Sequence, residues 1–223
     1  MLCIIDIQCF LFEMGAWPRG SRRSMVTKFT SDIDIDFGDR EKALSVLECT
    51  PASIMRDSKL IKHNTGVYPT SIPVDPVNGF ASIDYEAAED RGYNKLDFLN
   101  VSLYTQIKNE AHLTELMNAE PLWDLLLQRE FCGQLIHIGN HYDTLIRMPE
   151  PVDSIPRMAM FLSVIRPAKR HLIGQKWADV AKTVWEKPTD DSYFFKKAHA
   201  VSYAHLVVVH MNLICEQISY GYS

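Results

Sequence analysis

The chain has no CxxC pair, and its five cysteines (Cys3, Cys9, Cys49, Cys132 and Cys215) are odd in number and widely scattered. That argues against a disulfide scaffold and against a zinc ribbon or finger, and it makes a reducing cytoplasm the expected setting. No run of apolar residues approaches a membrane span; the longest, Leu206–Leu213, is short and contains His210. No internal repeat is present. The order of a signal peptide is missing as well, because Arg19, Arg22 and Arg23 follow the apolar stretch Met1–Phe12 instead of preceding it. Positive charge is not in excess either. The net charge is -5, so attraction to nucleic acid would have to come from a local patch. What remains is a chain of 223 residues, 47% hydrophobic and 23% charged, which is globular composition and room for one sizeable domain or two small ones.

Charge is uneven along the sequence. Residues 31–50 carry six acids (Asp32, Asp34, Asp36, Asp39, Glu41, Glu48) against two bases, and residues 160–200 carry eight bases against four acids. Such a pairing suits a metal-assisted phosphate site and equally an ordinary solvated surface. Residues 1–24 are unlike the rest and read as an extension, with Met25 as a possible start of the folded protein. Asp32–Phe37 alternates with period two and reads as a strand. Asp39 caps a helix to about Leu47 with Ala43, Leu44, Val46 and Leu47 on one face, and Thr50-Pro51 opens a second helix to about Ile61. His63–Gly79 is turn-rich, Ala81, Ile83 and Tyr85 alternate with polar residues, and Lys95–Phe98 is another short strand. Helices are expected over Val101–Met117, Pro121–Glu130, Ser154–Ile165, Trp177–Glu186 and Ala198–Ile218, with a strand at Phe131–Ile138. The class is α+β, with strands concentrated in the first half and helices in the second.

The alternation puts Asp32, Asp34 and Asp36 on one face of their strand and Ile33, Ile35 and Phe37 on the other. Aspartate is a poor strand former. Neighbouring carboxylates on that face stand roughly 6–7 Å apart, and they repel by on the order of 2 kcal/mol at an effective dielectric of about 20. A divalent cation would convert the repulsion into attraction. Magnesium takes one or two carboxylates together with phosphate oxygens, the arrangement of two-metal phosphoryl transfer. An edge strand charged to block aggregation has the same pattern. Lys95 and Asp97 share a face of the later strand and offer one more carboxylate beside a cation.

The set of short motifs, taken in order, resembles the replicative DNA polymerase III alpha subunit, the bacterial C-family polymerase. Ser31-Asp32-Ile33-Asp34-Ile35-Asp36-Phe37 is similar to its P-D-x-D-x-D-F motif, Ala52–Asp57 to its A-x-x-x-I-R-D helix, and Lys62–Val67 to K-H-A-G-G-V. Lys95-Leu96-Asp97-Phe98-Leu99 resembles K-x-D-F-L, and Phe131–Leu135 lies where the family has G-x-F-Q-x-E. Ser163–Pro167 resembles A-L-x-R-P-G-P, and Phe195–Ala204 resembles F-N-K-S-H-A-x-x-Y-A. The likeness runs from about Ser31 to about His210.

The resemblance implies a nucleotidyltransferase-type palm with a small sheet over residues 25–117 and a mostly helical, fingers-like half over residues 118–223. It implies two magnesium ions on the catalytic carboxylates Asp34, Asp36 and Asp97, with Asp32 in support. Lys95, Arg166 and Lys169 would meet the nucleotide; Lys62, His63, Lys197 and His199 would line the DNA path. The partners implied are primer–template DNA, dNTPs and other replisome proteins, with no membrane. The chain departs from the family pattern in several places. Family members are several times longer, their upstream Gly-Ser phosphate-binding segment has no counterpart beyond Gly20-Ser21, Arg166-Pro167-Ala168-Lys169 stands for R-P-G-P, and His63-Asn64-Thr65-Gly66 lacks the first of two glycines. A short phage-encoded or fragmentary relative is therefore expected. The functions to separate are a minimal DNA-directed DNA polymerase, a catalytically silent relative that binds DNA or a replisome partner, and a metal-dependent nuclease or other nucleotidyltransferase using the same carboxylates. Other histidines have blander readings: His137 and His141 as an incidental pair, and His199, His205 and His210 as core or surface residues of the last helix.

Overall fold

The computed structural model describes residues 33–190 and 192–221; Asp32 and residues 1–24, with the expectations placed on them, lie outside these. The chain forms two compact units, Met1–Ile107 and Lys108–Ser223. The class is mixed α+β, with the strands in the first unit and most helices in the second.

The first unit is built on strands β1 (Ile33–Phe37), β2 (Thr50–Arg56), β3 (Lys59–Tyr68) and β4 (Leu96–Asn100), with helices α1 (Arg40–Val46) and α2 (Tyr85–Asp90). The sheet order is β1-β4-β3-β2. β1 and β4 run parallel, and the other two pairings are antiparallel. As the sequence alternation requires, one face of the β1/β4 pair is apolar: Ile35 stands opposite Phe98, and the Phe37 and Phe98 rings pack at 4.8 Å between centroids. Asp39 caps α1 as expected, accepting from the Lys42 amide at 3.0 Å. Val46, expected on the apolar face of that helix, is exposed.

The expected helix over Thr50–Ile61 is instead a β-hairpin. Pro51 does not open a helix because it sits on β2, the outer strand of the sheet, where a missing amide donor is tolerated. Asp57 and Ser58 form the two-residue turn with φ of 49° and 60°, while Arg56 pairs with Lys59. The A-x-x-x-I-R-D likeness thus falls on a strand and its turn. Ala81 and Ile83 are not strand residues of the sheet; Ala81 makes an isolated bridge to Val74, and Asp84 caps α2 by accepting from the Glu86 amide at 3.0 Å. A small core of Ala52, Tyr68, Ile72, Ala81 and Ala88 closes this end of the unit.

The second unit contains α3 (Glu110–Asn118), α4 (Arg129–Gln134), α5 (Tyr142–Leu145), α6 (Ile155–Val164), α7 (Trp177–Thr183) and α8 (Lys197–Gly221). The strand expected at Phe131–Ile138 is α4 followed by turns, and the helix expected at Pro121–Glu130 is a 3-10 turn at Trp123–Leu127. Val101–Met117 divides into a 3-10 turn at Ser102–Gln106 and α3. On α8 the residues Ala200, Ala204, Val207, Met211 and Ile214 recur at helical spacing and join the core of this unit with Met158, Phe161, Leu162 and Val164. By length and composition α8 could cross a membrane, although only Leu206–Leu213 stands out in the bare sequence; half of the apolar stretch is buried inside the protein.

Candidate active site

The parallel register sets Asp34 directly opposite Asp97 and Asp36 opposite Leu99. Side chains of register partners point to the same side of a sheet. The polar face of β1 therefore continues onto β4, and Asp34, Asp36 and Asp97 belong to one surface. Asp36 is buried, at 5% exposure, and among the described residues it has neither a hydrogen bond nor an ion pair. Burial first, and the neighbouring Asp34 charge second, push its carboxyl from the ordinary 3.8 up to about 6.

Asp97 is surrounded by residues that the hairpin delivers. The β2/β3 register jumps between Pro51 and Ser53, so that Ala52 alone faces His63–Gly66. Residues of this bulge reach Asp97 on β4, whose register partner on β3 is Gly66. The Thr65 hydroxyl donates to Asp97 Oδ1 at 2.6 Å. The Lys95 ammonium donates to Asp97 Oδ2. His63 shapes the bulge from inside: its Nδ1 accepts the amides of Gly66 at 2.9 Å and Thr65 at 3.2 Å. The ring proton therefore sits on Nε2, and burial, then Lys95, holds the ring below the usual histidine range. Gly66 has to be glycine for steric reasons, since a Cβ there would lie 2.7 Å from the Lys95 side chain and 3.0 Å from the His63 ring. Arg40 ties α1 to the same region through Nε to the Phe98 carbonyl at 2.8 Å, with its amide on Asn100 at 3.0 Å.

Comparison with known protein families, curated proteins and solved structures found no match. Function is therefore read from this geometry and from the motifs.

Of the residues singled out in the sequence, Asp34, Asp36, Lys95, Asp97 and His63 come together on one region of the first unit. Lys62, next to His63, is exposed on β3 opposite Ser53. Arg166, Lys169, Lys197 and His199 belong to the second unit. There Arg166 lies over the Phe195 ring at 3.8 Å, and Phe195 in turn stacks on Tyr203 at 5.4 Å. Arg166 Nε is buried without a hydrogen-bond partner, and burial lowers the guanidinium from its usual range. Lys169 is buried, and its ammonium donates to the Thr183 carbonyl at 2.7 Å, so it acts inside the fold. Lys197 is exposed at the start of α8, and His199, two residues on, is half-buried.

Thr65, Gly66 and Arg40 were not foreseen as site residues. Thr65 had a signal of a negative kind, because it stands where the resembling motif has its first glycine, and that departure is the residue that binds Asp97. Arg40 had none, because its reach to β4 depends on a strand pairing distant in sequence.

Proposed function

We propose that the first unit carries a magnesium-dependent nucleotidyltransferase centre of the C-family DNA polymerase type, adding dNTPs to a primer 3′-hydroxyl on template DNA. The observation that carries this reading is the register of Asp34 with Asp97 on adjacent parallel strands, with Asp36 on the same face. The donor set fits magnesium in kind: it consists only of carboxylate oxygens, and Asp36 is buried without a partner among the described residues. Among those residues no three acidic, histidine or cysteine side chains converge closely enough to hold one ion together. Asp34, Asp36 and Asp97 share a face without converging on one point, so a magnesium ion would be held by one or two of them together with phosphate oxygens and water. When bound, magnesium would activate the attacking oxygen and neutralise charge on the leaving phosphate. Thr65 orients Asp97, Lys95 offers an ammonium to phosphate oxygens, and buried Asp36 keeps one carboxylate away from bulk water. The exposed Lys62 and Lys197 would contact the DNA backbone, which needs only non-specific cations.

A second reading has its own observation. Both oxygens of Asp97 are already occupied by Thr65 and Lys95, as they would be in a silent relative that binds DNA or a replisome partner without chemistry. Primer extension with magnesium separates the two. The polymerase reading expects extension by the parent and background signal from Asp34→Ala and Asp97→Ala. The silent reading expects salt-sensitive primer–template binding with no incorporation by any form. Shortened strands in place of extended ones would identify a nuclease.

A further inference from the structure

Lys95 is a cation already resident on the acidic face. Its ammonium donates to one oxygen of Asp97, Thr65 donates to the other, and the Lys95 and Asp97 side chains are 19% and 14% exposed. Such a pair is too sheltered to be screened like a surface ion pair, yet open enough for solvent ions to reach. The lysine also has a second seat. Its ammonium lies 5.7 Å from the centre of the Tyr85 ring, a neutral surface that attracts a cation without neutralising it. Its stem crosses the backbone of Gly66, where even a methyl group would collide with it. Meanwhile Asp36, buried on the same face, has no cation of its own among the described residues.

We propose that Lys95 is a displaceable counter-ion, which guards Asp97 until a polyphosphate anion draws its ammonium away, so that anion and divalent cation bind this face cooperatively. This rests on the metal-binding reading above. While Lys95 sits on Asp97, a dication approaching Asp34 and Asp36 meets a like charge and finds the third carboxylate taken. Once the ammonium turns to phosphate, Asp97 is released and the repulsion falls. Linkage makes the effect reciprocal: whatever the departure of Lys95 contributes to cation affinity, a bound cation contributes to anion affinity. The order of events follows from the same contacts. The free cation alone binds weakly, and the anion recruits it, so the centre is armed only when a polyphosphate is present.

The test measures binding, not turnover. Mn2+ is titrated into the full chain and followed by the electron paramagnetic resonance signal of the free ion. Lys95→Gln should bind Mn2+ about tenfold more tightly than the parent, since a unit charge at contact distance is being removed. Lys95→Arg should stay close to the parent, and the gain should vanish in the Lys95→Gln/Asp97→Asn double variant. A reciprocal arm uses inorganic tripolyphosphate in the presence of chelator. Asp97→Asn should bind it more tightly than Asp34→Asn does, although both remove one negative charge, because only the first frees Lys95. If Lys95→Gln gains nothing while Asp36→Asn abolishes Mn2+ binding, the guarding role is wrong and the metal reading stands. If no variant binds Mn2+, both are wrong. Should Lys95→Gln fail to fold, the tripolyphosphate arm decides, and equal affinity of the two asparagine variants overturns the proposal.

Discussion

Asp36 shows most plainly how a single residue sets stability against function. A carboxyl raised to about 6 binds its proton more readily folded than unfolded. Its contribution is therefore most favourable below the ordinary 3.8, declines as pH rises toward 6, and is flat above. At neutral pH the buried charge destabilises the first unit by on the order of 3 kcal/mol. Asp36→Asn should recover much of that at pH 7 and almost nothing at pH 4, as read from urea unfolding midpoints at the two values. A variant that is no more stable at pH 7 than the parent would mean that the carboxylate has a stabilising partner. The same substitution removes a candidate metal ligand, so the expected gain in stability comes with lost cation binding, which is the trade found at sites selected for function. This much was legible in the sequence, because three aspartates on one strand face conflict with strand propensity and call for an explanation. The burial of Asp36 was not legible. Alternation assigns it to the polar face, and only the fold shows that this face is covered at Asp36 and half-open at Asp34.

At the level of elements, the sequence was read correctly where local chemistry decides and misread where pairing decides. The β1 alternation, the Asp39 cap, α6 and α8 all follow from spacing and end signals, and they are present. The β2–β3 hairpin was hidden by Thr50-Pro51, which has the form of a helix start but here begins an outer strand. The turn gave little help, since Asp57-Ser58 is only half of a hairpin signature: aspartate tolerates the left-handed region, whereas serine at φ 60° is strained there. The consequence can be measured. Ser58→Gly should stabilise the first unit by about 1 kcal/mol by removing that strain, seen as a higher denaturation midpoint with unchanged slope. A loss of stability would mean that the Ser58 side chain does something the turn geometry does not show. The hairpin matters beyond itself, since its bulge brings His63, Thr65 and Gly66 to Asp97, and a helix in its place could not do so.

For the whole molecule, the two units should answer acid differently because their buried titratable groups differ. In the second unit His137 is held down to about 4 by burial, with Arg166 adding repulsion, and burial also lowers His141, His205 and His210. His210 is further committed as a neutral ring, because its Nδ1 accepts the Ile136 amide at 3.0 Å. A base held below its unfolded value contributes stability that is complete above 6.5 and is lost as pH falls toward its folded value. For the half-buried His137 the loss between neutrality and pH 4 is on the order of 2 kcal/mol. In the first unit the raised carboxyl of Asp36 gains over the same interval, partly offset by the lowered His63. The second unit is therefore expected to unfold first on acidification. Three of the four tryptophans, Trp123, Trp177 and Trp185, lie in it, so intrinsic fluorescence reports mainly on this unit. His137 also has φ 65°, a conformation that asparagine adopts more readily than most residues. His137→Asn should therefore move the acid midpoint of the fluorescence transition to lower pH without disturbing the neutral fold. An unmoved midpoint would assign acid sensitivity to the other buried histidines, and amide exchange resolved by unit would then show whether the first unit still outlasts the second.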